Sequence, residues 1–596
     1  MWYLKIVIPV LVIVVVAVVV VPIAVVFTRD ADERGPLVNT ALGAIRGLLY
    51  AIVIPVLVIV VVAVVVVPIA VVFTRDADES GPLVNTALGA IRGLHSDDGT
   101  YSMFLGIPYA VVGANPFGAA IPNPNFTDVF NAFTDSVRCP QMPQNRVDGS
   151  LDCLQLNIYV PRNARKPLPV LVYTHGGRFM MGTSAKNSFG PKFLVRHDVI
   201  YVSFHYRLSV YGFMCLHTAD VPGNQGLKDQ LAALRWIKNN IKEFGGDVDN
   251  ITLFGDSAGG VSVDLHLLFA EEGLFHKVIL QSGTSLCPWG VQEPDLDVPF
   301  KIARQLGFET DELDEAVRFL SNQTATRVIE ATASLSLSFV PCVEKSFPNV
   351  DSFVTEHPIN TPISKARSIP IIAGYTDDER LMTYGRMPDE QFETLDVFNH
   401  SINLGFAFNE TDDAMKAFVR RFYIGDEPIS ARLRQEVTDF DSDFTFVHPT
   451  QRSLAKYLEN NGVAYHYVFS YVGGRNMMRN RLNMNITEGG GASHSDDLGY
   501  LFDLPTLTGT PTAEDQVIID RITTLWTNFA KYGDPTPTTT DLFPVRWLPV
   551  TRDSLNYLNL TNPLAVSTRP FHQRLTFWDF FYDTNEEYVL GHVSSL

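Results

Sequence analysis

Gly255-Asp256-Ser257-Ala258-Gly259-Gly260 follows the apolar run Ile251-Thr252-Leu253-Phe254 and precedes Val261-Ser262-Val263. That order predicts a strand, a tight turn and a helix, the setting a nucleophile elbow requires. The glycines let the backbone turn so sharply that the Ser257 hydroxyl stands clear of both flanking elements. A Gly-x-Ser-x-Gly string alone is weak, since Gly and Ser fill many ordinary turns. Its companions decide the reading.

Upstream, Leu171-Val172-Tyr173-Thr174 reads as a buried strand that runs into His175-Gly176-Gly177-Arg178-Phe179. Ester hydrolysis passes through a tetrahedral oxyanion, and each preset backbone N–H donor aimed at it is worth roughly 3–4 kcal/mol. An isolated Gly-Gly would read as a loop ending a strand; beside the elbow it reads as an oxyanion hole. With the nucleophile on such an elbow, the triad runs Ser, acid, His in chain order. His494 stands apart from the other histidines, in Gly489-Gly490-Gly491-Ala492-Ser493-His494-Ser495-Asp496-Asp497-Leu498. A neutral imidazole, with an ordinary pKa of about 6.5, can take the serine proton and return it to the leaving alcohol. Further ligands at metal-binding spacing are not evident near it. The acid falls in Asp377-Asp378-Glu379, after Ile371-Ile372-Ala373-Gly374-Tyr375-Thr376. Three acids in a row read by default as a solvated face, and the pattern does not choose among them.

Other segments extend the picture. They are Phe104-Leu105-Gly106-Ile107-Pro108-Tyr109-Ala110, Asp152-Cys153-Leu154 with Leu156-Asn157-Ile158-Tyr159, and Pro222-Gly223-Asn224-Gln225-Gly226-Leu227-Lys228-Asp229-Gln230. Phe244-Gly245-Gly246-Asp247, Gln281-Ser282-Gly283, and Trp526 with Phe529-Ala530-Lys531 complete the set. Together with the site, they resemble the type-B carboxylesterase and cholinesterase family of α/β-hydrolases, and most closely its insect general or antennal carboxylesterases. The resemblance covers Gly81 to the end. It implies Ser257 as nucleophile, His494 as base, Glu379 as acid, and an oxyanion hole from the N–H groups of Gly177, Arg178 and Ala258. It implies small-molecule carboxylic esters as substrates, no metal or organic cofactor, and a small disulfide loop closed by Cys139 and Cys153.

Several positions depart from the family pattern. Arg178 stands where a third glycine is usual, and a positive φ there would cost a non-Gly residue roughly 1–2 kcal/mol. No Trp lies between Cys139 and Cys153, where cholinesterases carry a choline-stacking ring. Asp256 replaces the Gln usual before the nucleophile in juvenile hormone esterases. Leu151 and Pro116-Phe117 replace both partners of a usual ion pair, so no orphan charge remains.

The chain has 596 residues, enough for several domains, yet no Pro/Gly/Ser-rich linker divides the matching region. Of five cysteines, Cys287 and Cys342 are the candidate second pair and Cys215 reads as a buried free thiol, sequence alone leaving connectivity open. Sequons at Asn125, Asn322, Asn399, Asn409, Asn485 and Asn559 suit a lumenal or extracellular surface, whereas Asn250 reads as too enclosed. A net charge of −19 argues against nucleic acid as a partner.

Ile6–Leu48 recurs as Ile52–Leu94, differing only at Arg34 against Ser80. Each copy opens with a Val-rich run long enough for a span of about 20 residues. The organisation expected is therefore a hydrophobic signal or anchor over 1–34, a duplicated fragment over 35–51, a second such segment over 52–80, and a catalytic domain over 81–596. Two spans in series would return the catalytic region to the cytosol, at odds with paired cysteines. One copy is thus expected to act, anchoring an extracellular or lumenal enzyme to the membrane, or releasing a secreted one if it is cleaved.

Val170–Tyr173, Val199–Phe204, Ile251–Phe254, Val278–Leu280, Ile371–Ala373 and Tyr465–Phe469 read as enclosed strands. Leu227, Leu231, Leu234, Ile241 and Phe244 form a core-facing helical stripe between two of them. This alternation predicts an α/β fold, a large, mostly parallel, doubly wound sheet with helices on both faces. Two other functions compete with a serine carboxylesterase: an inactive cholinesterase-like adhesion protein, and a lipase or hormone-type esterase. Adhesion relatives usually lack a triad member. The hormone type normally uses Asp as acid and lacks the Cys-Leu strand.

Overall fold

Val170 and Val172 enter one apolar core while Leu171 and Tyr173 enter another. Such a strand is covered on both sides, which is why the sequence is apolar without alternation. In the computed structural model it is β4 (Leu168–Thr174) of an eleven-stranded sheet. The structure describes residues 81–596 apart from 164–166, 409–412, 485–488, 508 and 593–596. The two Val-rich runs, the boundaries expected at 34, 51 and 80, and Asn409 and Asn485 lie outside the described residues.

The sheet contains β1 (Leu94–His95), β2 (Tyr101–Pro108), β3 (Gln155–Pro161), β4, β5 (Ile200–Phe204) and β6 (Gly246–Asp256). It continues with β7 (Lys277–Gln281), β8 (Ile371–Thr376), β9 (Ala464–Phe469), β10 (Asn556–Leu560) and β11 (Ala565–Thr568). In space the order is β11-β10-β9-β8-β7-β6-β4-β5-β3-β2-β1. Neighbours from β5 through β4 and β6 to β10 are parallel; both margins are antiparallel. Helices α1 (Gln225–Asn240) and α2 (Ala258–Phe269) cover one face, and α4 (Ala513–Tyr532) the other; α3 (His448–Glu459) precedes β9. The expected stripe is buried, although Ile241 and Phe244 belong to a short 3-10 turn following α1.

The chain passes from β4 outward to β5, then crosses back to lay β6 on the other edge of β4. In open α/β sheets such a reversal, at the carboxyl ends of the strands, is where ligands bind. Gly255, next to last in β6, pairs with Thr174 at the end of β4. The His175–Phe179 loop and the turn at Ser257 therefore leave the sheet side by side.

Cys139 and Cys153 are bonded. The second bridge joins Cys215 to Cys342, and Cys287 is buried and free. The pairing of Cys287 with Cys342 is thus corrected, as is the reading of Cys215 as a free thiol. Cys287 lies in the turn after β7, where its sulfur accepts from Thr284 N at 3.4 Å. Cys215 is carried to Cys342 across 127 residues by the packing of the segment after β5, a meeting that spacing does not reveal.

Candidate active site

Ser257 is the N-cap of α2, with φ 59° and ψ −125°. A non-Gly residue holds such a conformation only when its surroundings over-determine it. Here Ser257 N donates to Gln281 O at 2.8 Å and Val261 N donates to Ser257 O at 3.0 Å. A Cβ on Gly259 would stand 2.0 Å from Thr174 O, so only glycine lets α2 begin this close to β4. Ala258 opens the helix, and its N–H is among those the helix itself leaves without a partner.

In the acidic run after β8, Asp378 and Glu379 are buried and Asp377 half-buried, contrary to its default reading as a solvated face. Glu379 is fully enclosed. Its Oε2 contacts His494 Nδ1 at 2.5 Å, while Oε1 accepts from Ser282 Oγ at 2.6 Å and Thr376 N at 2.8 Å. Asp377 Oδ1 accepts from Ala492 N at 2.7 Å, and Asp378 Oδ2 from Gly491 N at 3.0 Å. Two acids thus pin the backbone approaching His494, and the third meets its ring. Phe446 also packs against the imidazole, centroid to centroid 4.8 Å, from a single π-helical turn over Asp443–Val447.

Two links join the His494 loop to the elbow. Ser495 Oγ donates to Asp256 Oδ2 at 2.7 Å. Gln281, whose carbonyl holds Ser257 N, donates from Nε2 to Asp497 Oδ2 at 2.8 Å. Among the described residues no hydrogen bond joins Ser257 Oγ to the imidazole; in unliganded sites such bonds are commonly long and tighten on substrate binding.

Gly177 has φ 117°, and Arg178 and Phe179 follow at 58° and 60°. A Cβ on Gly177 would stand 1.9 Å from Met181 O. Left-handed backbone costs a non-Gly residue roughly 1–2 kcal/mol, so Arg178 and Phe179 carry strain. Arg178 is exposed, whereas Phe179 is buried.

The sequence matches the description of the Carboxylesterase family over residues 80–578. The chain belongs to the carboxylesterase family. It is a carboxylesterase, a hydrolase of carboxylic ester bonds. Among its relatives is the bile salt-activated lipase of Rattus norvegicus, 31% identical over 521 residues that cover 81% of this chain and 81% of that protein. The carboxylic ester hydrolase of Bombus ignitus is 30% identical over 523 residues, covering 82% and 92%. The crystal structure of juvenile hormone esterase from Manduca sexta, solved with OTFP covalently attached, superposes with a TM-score of 0.74 at 29% identity, covering 85% of this chain and all of that one.

In this carboxylesterase the imidazole lies in a field that sequence reading missed. Burial lowers a histidine's pKa, to about 4 for His175 and, with His175 and Arg138 adding to the fall, to about 3 for His205. His494 is equally buried, yet Glu379, with help from Asp256 and Asp497, outweighs that penalty and lifts it above 6.5. Burial in turn pushes Asp256 up to about 6, against the pull of His494 and Ser495, and Asp497 up to about 7, with Asp256 adding to the rise. Ser282, Asp256, Asp497 and Ser495 were all visible in quoted motifs. No spacing rule assigned them to the site, because they arrive on three separate loops.

Proposed function

We propose that the chain hydrolyses small-molecule carboxylic esters by two-step acyl transfer through Ser257, His494 and Glu379. Ser257 Oγ bonds to the ester carbonyl carbon as its proton passes to His494 Nε2. The carbonyl electron pair moves onto oxygen, facing the N–H groups of Gly177, Arg178 and Ala258. Collapse re-forms the carbonyl and breaks the bond to the alkoxide, which leaves with the imidazolium proton. Water then repeats the sequence on the acyl-enzyme, releasing the acid and restoring Ser257. Glu379 holds Nδ1, so Nε2 is the ring nitrogen left to act as base.

The observation that carries this reading is the 2.5 Å contact between His494 Nδ1 and a fully buried Glu379. A buried carboxylate with an imidazole and two further donors is a costly arrangement that an inert adhesion domain does not need. Hydrolysis of p-nitrophenyl butyrate by the wild type, and its loss in Ser257→Ala, tests it; equal rates from both proteins would refute it. The likeness to a bile salt-activated lipase and a juvenile hormone esterase extends the substrates worth screening to long-chain acyl esters.

Two disulfides and the exposed sequons at Asn125, Asn322 and Asn399 support passage through the secretory pathway. Asn559 differs from its expected surface role: it lies within β10 and accepts from Ser470 Oγ at 2.6 Å. Among the described residues no helix is long and apolar enough to cross a membrane. One N-terminal apolar copy acting as signal or anchor remains the proposed route, and protection of the catalytic region from protease in microsomes tests it.

A further inference from the structure

The strained turn at Gly177–Phe179 needs something outside itself to hold it, because its own sequence does not favour it. Two segments grip it. One follows β5: Tyr206 OH donates to His175 O at 2.8 Å, Ser209 N donates to Phe179 O at 2.8 Å, and the Phe213 ring lies 4.9 Å from that of Phe179. The other, between α2 and β8, reaches the turn through Phe339, whose N–H donates to Met180 Sδ at 3.3 Å. Cys215 stands two residues beyond Phe213 and Cys342 three beyond Phe339, and these two cysteines are the second disulfide. Gly223 packs against it so closely that a Cβ there would lie 2.7 Å from each sulfur. Asn224 also fixes Cys342, donating to its O at 2.8 Å and accepting from its N at 3.0 Å, and so ties that segment to the start of α1, where a Cβ on Gly226 would lie 2.6 Å from Phe213 Cζ; the disulfide adds the covalent link between the two segments.

We propose that the Cys215–Cys342 disulfide is a positioning device for ester hydrolysis: it fastens together the two segments that hold the Gly177–Phe179 turn, and so keeps the Gly177 and Arg178 N–H groups aimed at the oxyanion. This rests on the oxyanion role given to those groups above. The bridge touches no substrate. It acts through Phe213 and Phe339 on a loop that would otherwise relax toward ordinary negative φ, turning its donors away. Oxyanion donors act on the transition state rather than on bound ester, so loosening them lowers kcat and leaves KM near its original value.

The test is Cys215→Ala/Cys342→Ala, measured well below its melting temperature beside the wild type. We expect kcat on p-nitrophenyl butyrate to fall about tenfold to a hundredfold, short of the roughly 10²–10³ that outright loss of one donor costs, with KM within about twofold. Affinity for an alkyl trifluoromethyl ketone should fall in parallel, because the serine oxygen adds to its carbonyl carbon and leaves an oxyanion in the same place. Arg178→Gly, which relieves one strained φ, should raise kcat by a larger factor in the disulfide-free chain than in the intact one. Wild-type kcat in the double variant, an analogue affinity that does not follow kcat, or equal responses to Arg178→Gly would each overturn the proposal. If the double variant does not fold, Met180→Leu decides, since it removes the sulfur acceptor and spares both cysteines. A parallel fall in kcat and analogue affinity supports the clamp, and wild-type values of both refute it. Hydrolysis surviving Ser257→Ala in the intact chain would instead defeat the reading of the site itself.

Discussion

Replacing Glu379 by glutamine keeps the shape of the side chain and changes what the imidazole meets. Oε1 accepts from Ser282 Oγ and Thr376 N, and Oε2 from His494 Nδ1. An amide has one oxygen for three donors. Two of them lie on one side, so the oxygen settles there and the NH₂ turns toward Nδ1. That nitrogen must then accept, which puts the ring proton on Nε2 and blocks removal of the serine proton. The charge is lost as well. Without it burial drives His494 in the direction that takes His175 to about 4 and His205 to about 3. Tautomer and charge together predict a kcat loss of about 10⁴-fold, the scale known for the equivalent change in serine proteases, or roughly 5–6 kcal/mol of barrier. Steady-state hydrolysis of p-nitrophenyl butyrate reads this directly, with Ser257→Ala as the floor. A kcat within tenfold of wild type in a folded Glu379→Gln enzyme would refute the reasoning.

Because His494 is lifted above 6.5 and must be neutral to act, kcat/KM should fall with acid through a midpoint above 6.5, and Asp256→Asn, which removes a carboxylate that helps lift it, should move that midpoint downward; an unmoved midpoint contradicts the assignment. Gly177→Ala places a Cβ 1.9 Å from Met181 O at a φ of 117°, and should cost about 10²–10³ in kcat while KM changes little. Ser282→Ala leaves Glu379 one donor short and should lower kcat by about tenfold, with little change in the melting temperature. Asp497, whose folded pKa of about 7 exceeds its unfolded value of 3.8, contributes stability that is full below 3.8 and lost as pH rises through 7. Asp497→Asn should therefore gain melting temperature over wild type at pH 8, and that gain should shrink by pH 5.

Much of this was legible in the chain because local chemistry forced it. A doubly buried strand must be apolar throughout, so Val170–Tyr173 and Ile251–Phe254 announced a parallel sheet before any pairing was known. A turn of the kind at Ser257 admits only small neighbours, and Gly255 and Gly259 showed it. What escaped notice depends on long-range packing. Charge pattern suggested that Asp377-Asp378-Glu379 faces water, yet each acid grips backbone or ring, and Asp378 and Glu379 are buried. The bond from Cys215 to Cys342 needs two segments 127 residues apart to meet beside the oxyanion loop. The π-helical turn that sets Phe446 on His494, and the aromatic core built from residues 384–447 with 571–589 around Phe398, Phe440 and Trp578, leave no short-range signature.

The most direct measurement is a crystal structure of the protein with an alkyl trifluoromethyl ketone bound. The account predicts a covalent bond from Ser257 Oγ to the carbonyl carbon, with the resulting oxygen about 3 Å from the N–H groups of Gly177, Arg178 and Ala258, and His494 Nε2 within hydrogen-bonding reach of Oγ. An adduct on another residue, or an oxygen pointing away from those three donors, would contradict it.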